Sequence, residues 1–351
     1  MSAPAPAVVD YPVAQPPAPG TVLRIAPSIL WLRMPLPFAL DHINLWLVEE
    51  ADGFTLVDTG YGNAATRELW ERHFRETLAG KPLMRIVATH CHPDHLGNAA
   101  WLAQRFGCPV LMTHGEFMSA HAICDERAGH APADNRELFR RHGMIDSDLA
   151  ALAARGNHYR QGVPTLPASY VRILHGDTLA AGGRDFRVIA GYGHSNEHAS
   201  LYADADRLLV SGDMLLPRIS TNVSVWPADP DGDPLGRFLR SLAAFEALPS
   251  ETFVLPSHGL PFRGIPLRVA QLRAHHDARL AELHDAIAGA AQPLSAADVL
   301  PVLFRRELDL QQRFFAMGEA LAHLNHLWRG DRLRRVGDPA GGYRFAVADH
   351  R

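Results

Sequence analysis

The sequence predicts an α/β fold in which buried strands end in loops that carry histidine or aspartate. Residues 84–88, 186–190, 208–210 and 253–255 are short apolar runs with the length and composition typical of buried strands. Each run is followed directly by a loop that contains His or Asp. Because the loops at strand ends of an α/β sheet gather site residues, we expect these polar side chains to form a common site.

The first twenty residues are rich in Ala, Pro and Val and contain no Lys or Arg. They lack the continuous apolar segment of a secretory signal or a membrane span. Their composition predicts a disordered leader over residues 1–20. Four β-like stretches then follow, at residues 22–25, 29–33, 43–49 and 54–58.

A helix is predicted over residues 63–78, between these stretches and the run at 84–88. Its residues have helical spacing, Asn63 could cap its start, and Gly80 with Pro82 would stop it.

Residues 89–95 read Thr-His-Cys-His-Pro-Asp-His, which is the most informative motif of the chain. His90 and His92 lie two residues apart, so on extended backbone both imidazoles point the same way. Asp94 and His95 add a second cluster of donors one step further along. A strand precedes this loop and a helix-like segment to about residue 106 follows it, which is the context that a bare motif lacks. The loop could therefore serve two metal ions.

Three more potential ligands follow apolar runs further along the chain. His194 comes after residues 186–190, Asp213 after 208–210 and His258 after 253–255. Each lies next to glycine or another small residue, which allows close approach of the backbone. Each is weak evidence alone, because His-Gly and Gly-Asp are ordinary turn pairs, but together they support a shared site.

The segments between and after these loops are predominantly helical. Residues 115–162 are rich in Arg and His and lack strand signals, which predicts a helical insertion that could roof the site. Strands resume near residue 170, with one helix near residues 235–248. After Pro266, long helices are predicted over residues 267–288 and 314–328, and two short strands follow.

These motifs resemble the metallo-β-lactamase superfamily, whose pattern is His-X-His-X-Asp-His followed by a distant His, Asp and His. The resemblance covers roughly residues 20–265 and fills all seven ligand positions. It implies a four-layer αββα sandwich as the fold, with a catalytic domain over residues 21–265. It also implies that one metal ion is held by His90, His92 and His194, that a second is held by Asp94, His95 and His258, and that Asp213 bridges the two.

The resemblance points to further residues near the metals. Asp58 matches an early aspartate of the family, which would orient a ligand. Tyr192 and His198 flank His194 and could donate to a substrate oxyanion, although we favour a packed tyrosine and a histidine that supports the ligands. Asn222 either lines the substrate cleft or belongs to a polar loop.

The donor set of histidine and carboxylate suits two zinc ions per chain, and it also admits iron or manganese. Cys91 should point to the opposite face of the extended segment, so we do not count it as a ligand. Two close cations lower the pKa of a bridging water toward ~7. Asp94 is the candidate catalytic residue, because it could orient the resulting hydroxide and shuttle its proton.

Residues 266–351 form a predicted second domain. Helices followed by a terminal hairpin resemble the small winged-helix tail of the lactamase-beta-2-like branch of the superfamily. Winged helices often bind DNA, but this tail is nearly charge balanced and its arginine cluster is short. We therefore favour a structural or substrate-shaping tail over a nucleic-acid module. The cluster consists of Arg329, Arg332, Arg334 and Arg335.

Composition agrees with an intracellular enzyme. The 351 residues are 47% hydrophobic, which allows one large core and a smaller second one. The formal charge of −4 gives no global basic field that would call for nucleic acid or an anionic membrane. Three widely spaced cysteines do not describe a disulfide scaffold, so a cytoplasmic location is expected.

Taken together, the residues and the resemblance predict a dinuclear metal-dependent hydrolase that cleaves a thioester or lactone of a small acyl substrate, as glyoxalase II-like members do. The alternative is a nuclease or phosphodiesterase acting on RNA or DNA, which the tail favours but which lacks a long basic and aromatic stripe. An iron-dependent sulfur dioxygenase would use fewer ligands. A non-enzymatic winged-helix regulator would be expected to have lost some of them.

Overall fold

The computed structural model describes residues 8–349, apart from the side chain of Arg155. A seven-stranded sheet comes first in the chain, with its strands in sequence order. Its first four strands are antiparallel, and the fourth to seventh are parallel. These strands are β1 Leu23–Ala26, β2 Ile29–Pro35, β3 His42–Glu49, β4 Phe54–Val57, β5 Leu83–Val87, β6 Val110–Met112 and β7 Val171–Arg172.

A second, five-stranded sheet follows in the order β12-β11-β10-β9-β8. Its last pair in sequence, β11 and β12, is parallel, and the other pairs are antiparallel. Its strands are β8 Thr178–Ala181, β9 Arg184–Gly191, β10 His198–Ala203, β11 Leu208–Gly212 and β12 Phe253–Pro256.

The helices lie between and after the strands. The first seven are α1 Ala64–Glu76, α2 Pro93–Leu96, α3 Ala99–Phe106, α4 His114–Cys124, α5 Pro132–Arg141, α6 Asp146–Arg155 and α7 Tyr159–Gly162. The remaining elements are α8 Pro234–Glu246, α9 Ile265–Ala288, α10 Leu300–Leu303 and α11 Leu310–Arg329, followed by an antiparallel hairpin of β13 Leu333–Asp338 and β14 Gly342–Val347.

Alternation along the strands creates the four layers. On β2, Trp31 faces the second sheet, whereas its neighbour Leu32 faces the helices on the outer side. The second sheet behaves likewise, because Val210 faces the first sheet and Leu209 faces α8 and α9. The two sheets therefore pack face to face with helices outside each, and the predicted αββα sandwich is confirmed.

The local sequence signals explain where several helices begin and end. The Asn63 side chain accepts a hydrogen bond from Thr66 N, which caps α1 as predicted. The helix predicted after the motif loop is α3, and a separate short helix, α2, lies at the end of the loop itself. Asn98 lies between them and donates from its amide to the carbonyls of Thr59, Gly60 and Tyr61. These bonds hold the break against the end of β4.

The predicted leader needs correction where it is described. Residues 1–7 of the predicted segment lie outside the described residues. Val9 is buried in the core formed by the second sheet and its helices. Asp10 pairs with Arg263 through backbone hydrogen bonds in both directions. This part of the segment is therefore packed rather than disordered, because an apolar side chain and an unpaired backbone edge are available to it.

The predicted helical insertion contains α4 to α7, and the C-terminal segment contains α9 to α11 and the hairpin. Both contribute to the core outside the second sheet, where Phe139, Phe238 and Phe345 are buried together. The domain boundary at residue 265 and the winged-helix assignment stay predictions. Among residues 8–349, no helix combines the length and apolar character that crossing a bilayer requires.

We expect Phe345→Ala to destabilise the whole protein, because the ring is fully buried between the hairpin and the helices. Loss of a buried phenyl ring costs about 3–5 kcal/mol of unfolding free energy. Phe315→Ala is the matched control, since Phe315 is 42% exposed. Denaturant unfolding of both variants measures the difference. Equal, small effects would show that the hairpin does not share this core.

Candidate metal centre

The ends of four strands, β5, β9, β11 and β12, lead into the loops of the predicted ligands, and His194 follows β9. β5 leads into the loop of residues 89–95, and its parallel neighbour β4 ends just before Asp58. On the second sheet, β11 ends at Gly212 and its parallel neighbour β12 ends just before the loop of His258. Parallel strands deliver their carboxyl ends to one edge of a sheet, so these loops face one another across the sandwich.

The structure brings all seven predicted ligands together. Their donor atoms form three overlapping groups, within each of which all atoms lie within 4.8 Å of one another. The groups are His90, His92 and His194; His90, His95 and Asp213; and Asp94, His95 and His258.

Asp213 lies between the first and third groups. Its Oδ2 lies 3.4 Å from His194 Nε2, and its Oδ1 lies 3.4 Å from His258 Nε2 and 3.6 Å from His95 Nε2. On the other side, Asp94 Oδ2 lies 3.4 Å from His258 Nε2. One carboxylate thus presents an oxygen to each group, which is the arrangement that a bridging ligand needs.

Hydrogen bonds fix the protonation of the imidazoles. His194 Nδ1 lies 2.7 Å from the carbonyl of Asn222, and His258 Nδ1 lies 2.8 Å from the carbonyl of His42. Because a carbonyl can only accept, each Nδ1 carries a proton, which leaves Nε2 as the nitrogen that can bind a metal ion. Both Nε2 atoms point into the cluster, as metal coordination requires.

Asp58 and Thr89 orient the imidazoles of the motif loop through hydrogen bonds to Nδ1. Asp58 accepts from Thr89 N at 2.8 Å, from the Thr89 hydroxyl, and from His95 Nδ1 at 2.8 Å. The Thr89 oxygen in turn lies 3.0 Å from His90 Nδ1 and can accept its proton. His90 and His95 are therefore also oriented with Nε2 toward the cluster, where His90 Nε2 and His194 Nε2 are only 3.2 Å apart.

The charges of the cluster fit divalent cations. Within the described residues, Asp58, Asp94 and Asp213 form ion pairs with histidines and with no Lys or Arg. Burial lowers the pKa of His95, but the Asp94, Asp58 and Asp213 carboxylates outweigh it and raise this pKa to about 9. Buried carboxylates that draw positive charge this strongly without Lys or Arg offer a place for metal ions.

Two atoms of the ligand groups are among the buried polar atoms of the described residues that have no hydrogen-bond partner, and both point to the same use. They are His95 Nε2 and Asp213 Oδ1. Buried polar atoms are normally hydrogen-bonded, so an imidazole nitrogen and a carboxylate oxygen that lie 3.6 Å apart without a hydrogen bond fit a cation between them. The donor set of histidine nitrogens and carboxylate oxygens suits zinc, iron or manganese.

The remaining predicted site residues have different positions. His198 is fully buried and accepts from Asp213 N at 3.1 Å, so it supports the ligand backbone and cannot face a substrate. Asn222 acts on His194 through its backbone carbonyl, while its side chain accepts from Ser224. Tyr192 is 41% exposed, and its backbone N–H donates to the Ser241 hydroxyl on α8.

Cys91 does not join these groups. Burial, together with the nearby Glu116 carboxylate, raises the pKa of its thiol well above the ordinary value. The side chain is therefore a packed thiol rather than a thiolate ligand or nucleophile.

Sequence reasoning missed three residues that hold the loops. Thr89 could have been noticed as a hydroxyl next to a ligand run. Asn44 on β3 donates to the carbonyls of Pro256 and Gly259, on either side of His258. Neither Asn44 nor Glu116 carries a signal in the sequence, because each lies far from the residues it contacts.

Comparisons with known proteins agree with this geometry. A family model described as "Metallo-beta-lactamase superfamily" matches residues 39–258, and one described as "Metallo-beta-lactamase-like, C-terminal domain" matches residues 280–348. The chain is similar to a beta-lactamase domain protein from Burkholderia ambifaria of known structure. That similarity has 47% identity and a TM-score of 0.90, and it covers 97% of this chain and 98% of the other.

Two curated relatives are more distant. The probable metallo-hydrolase YqjP of Bacillus subtilis (strain 168) is 24% identical, over 86% of this chain and 92% of its own length. The acyl-coenzyme A thioesterase MBLAC2 of Homo sapiens is 27% identical, over 54% of this chain and 63% of its own length.

We expect Asp58→Asn to weaken metal binding, because the amide NH2 would face His95 Nδ1–H or a Thr89 donor and disturb the imidazole orientation. Loss of such an orienting partner typically lowers metal affinity about 10–100-fold. Asp338→Asn is the control, since Asp338 only caps an exposed turn. Zinc competition against a chelator measures both. Unchanged affinity in Asp58→Asn would contradict the orienting role.

Proposed function

Because the chain belongs to the metallo-β-lactamase superfamily and is one of its hydrolases, we propose that it uses two zinc ions to cleave a thioester or lactone of a small acyl substrate. The single observation that carries this proposal is the convergence of seven donor side chains into groups linked by Asp213. A site for a single ion would not need the groups on both sides of this carboxylate.

In this proposal each ion has its own set of protein ligands. The first would be held by His90, His92 and His194, the second by Asp94, His95 and His258, and Asp213 would contribute one oxygen to each. When bound, such cations lower the pKa of water and polarise a carbonyl oxygen, which supplies a nucleophile and an electrophile at neutral pH.

Asp94 would act directly on the reacting groups. Its side chain is 17% exposed, whereas those of His95 and His258 are 0% and 2% exposed. Asp94 is therefore the member of this group that reaches the solvent side. Its carboxylate can orient the attacking water and take up the proton that the water loses on attack. The buried histidines His95 and His258 would then serve only to hold the ion.

A pair of aromatic rings near the motif loop supports an apolar acyl group as part of the substrate. Tyr61 is buried, and its backbone carbonyl accepts a hydrogen bond from Asn98, which follows the motif loop. Phe38 packs edge-on against Tyr61 with ring centroids 5.4 Å apart and is 41% exposed. MBLAC2, named as an acyl-coenzyme A thioesterase, is consistent with this substrate class.

The arginines of the tail argue against a nucleic-acid substrate. Arg329 donates to the Asp231 carbonyl, and Arg335 pairs with the Asp231 carboxylate. The Arg335 guanidinium also lies over the rings of Trp328 and Tyr343, at 4.2 Å from each centroid. Arginines engaged in this way pack the hairpin onto the protein, so the short cluster offers few free cations for phosphates.

The substrate class is tested by a panel of acyl-thioesters, lactones and phosphodiesters, assayed with the zinc, manganese and iron forms. We expect turnover of a thioester or lactone with about two zinc ions per chain. Salt-dependent RNA or DNA cleavage would favour the nuclease instead. One iron per chain with oxygen consumption would favour a sulfur dioxygenase, and no turnover of any substrate would favour a regulator.

We expect Asp213→Ala to lose more than half of the bound metal and all turnover, because the bridging carboxylate serves both groups. Asp185→Ala, at an exposed position on β9, is the control and should retain both. Elemental analysis of the purified proteins gives the metal content. Full occupancy in Asp213→Ala would reject the bridging role.

A further inference from the structure

We propose that Glu116, in the first turn of α4, is a positioning residue that fixes the distance between the loop of His90 and His92 and the loop of His194. The inference rests on the proposed metal centre and adds a residue outside it. Glu116 belongs to none of the ligand groups.

The Glu116 carboxylate bonds to both ligand loops at once. Its Oε2 accepts from Cys91 N at 2.8 Å, and Cys91 lies between His90 and His92. Its Oε1 accepts from Glu197 N at 2.6 Å, three residues after His194. One rigid, planar group therefore spans the two segments from which the first metal group is built.

These two hydrogen bonds account for a carboxylate at this position. Glu116 is fully buried, and none of the ion pairs among the described residues involves it. Its charge is compensated by backbone N–H groups and by its place at the start of a helix, where the dipole favours an anion. Burying a carboxylate is unfavourable unless it is hydrogen-bonded, and here both oxygens accept hydrogen bonds from the ligand loops.

The contact is reinforced from the other side. Glu197 Oε2 accepts from Gly115 N at 2.8 Å, and the Thr113 hydroxyl donates to the Glu197 carbonyl at 2.7 Å. Asn196 also donates to Ser119 on α4 at 2.6 Å. These hydrogen bonds hold the start of α4 against residues 196–197, and Glu116 connects both to Cys91.

The effect should be confined to one metal group. The third group, Asp94, His95 and His258, is oriented by Asp58 and by the carbonyl of His42, neither of which contacts Glu116. A defect at Glu116 should therefore weaken the ion held by His90, His92 and His194 before the other ion.

The test compares Glu116→Gln with Glu197→Gln in the full-length protein. A glutamine at position 116 has one carbonyl oxygen, so its NH2 must face the N–H of Cys91 or of Glu197. A glutamine at position 197 can keep its single bond to Gly115 N. The probe is zinc, titrated against a chelator, with zinc per chain, kcat, KM and the melting temperature of the metal-free protein measured in parallel.

We expect Glu116→Gln to bind one of its two zinc ions about 10–100-fold more weakly, with the second affinity unchanged. Turnover at saturating zinc should recover most of its kcat with little change in KM. Glu197→Gln should match the wild type. In a His92→Ala background, Glu116→Gln should add no further loss, because the same ion is already released.

Other outcomes overturn the inference. If Glu116→Gln lowers only the melting temperature and both zinc affinities equal those of the wild type, the residue has a structural role and the proposed function stands. If the wild type itself binds no zinc, the proposed function and this inference both fail. If Glu116→Gln does not fold, Thr113→Val decides, because it removes one bond between α4 and the same loop. An unchanged first-ion affinity in that variant rejects positioning by α4.

Discussion

The hydrogen bonds that Asp58 accepts are the interaction on which the rest of the site depends. This buried carboxylate follows β4, has a left-handed backbone with φ of 61°, and binds the first residue of the motif loop through both backbone and side chain. A non-glycine residue in that conformation is strained, and such strain persists only where surrounding contacts compensate for it. Here the strain is compensated by the hydrogen bonds of Asp58 to Thr89 and His95. These bonds orient the His95 ring directly and the His90 ring through Thr89.

The αββα architecture holds these oriented histidines at the right separation. The ligand loops follow the ends of β5 on the first sheet and of β9, β11 and β12 on the second, and Asp58 follows β4. The packed layer between the sheets, with Trp31 stacked on Trp46 at 5.8 Å, keeps these ends at a constant separation. The distance between the ligand histidines is therefore set by a rigid core and not by flexible loops.

Much of this could be predicted from sequence because the signals are local. The spacing of His90, His92, Asp94 and His95, and the placement of His194, Asp213 and His258 after apolar runs, led to the ligand set that the fold brings together. What could not be predicted depends on contacts between distant segments. Glu116 and Asn44 have no motif, and the buried Val9 lies in a stretch whose composition is typical of disorder.

The helical insertion is anchored at its start and in its middle, and this has a consequence for the proposed selection of substrates. Its start is tied to the ligand loops, while His142 packs against Tyr343 and Phe345 and Asp148 pairs with Arg313 of α11. We predict that this insertion roofs the site, and an insertion braced in this way would not swing as a flap. In the proposed hydrolase, recognition would then depend on a preformed entrance, so a well-fitting molecule would bind with little loss of conformational entropy and a bulkier one would be rejected by shape.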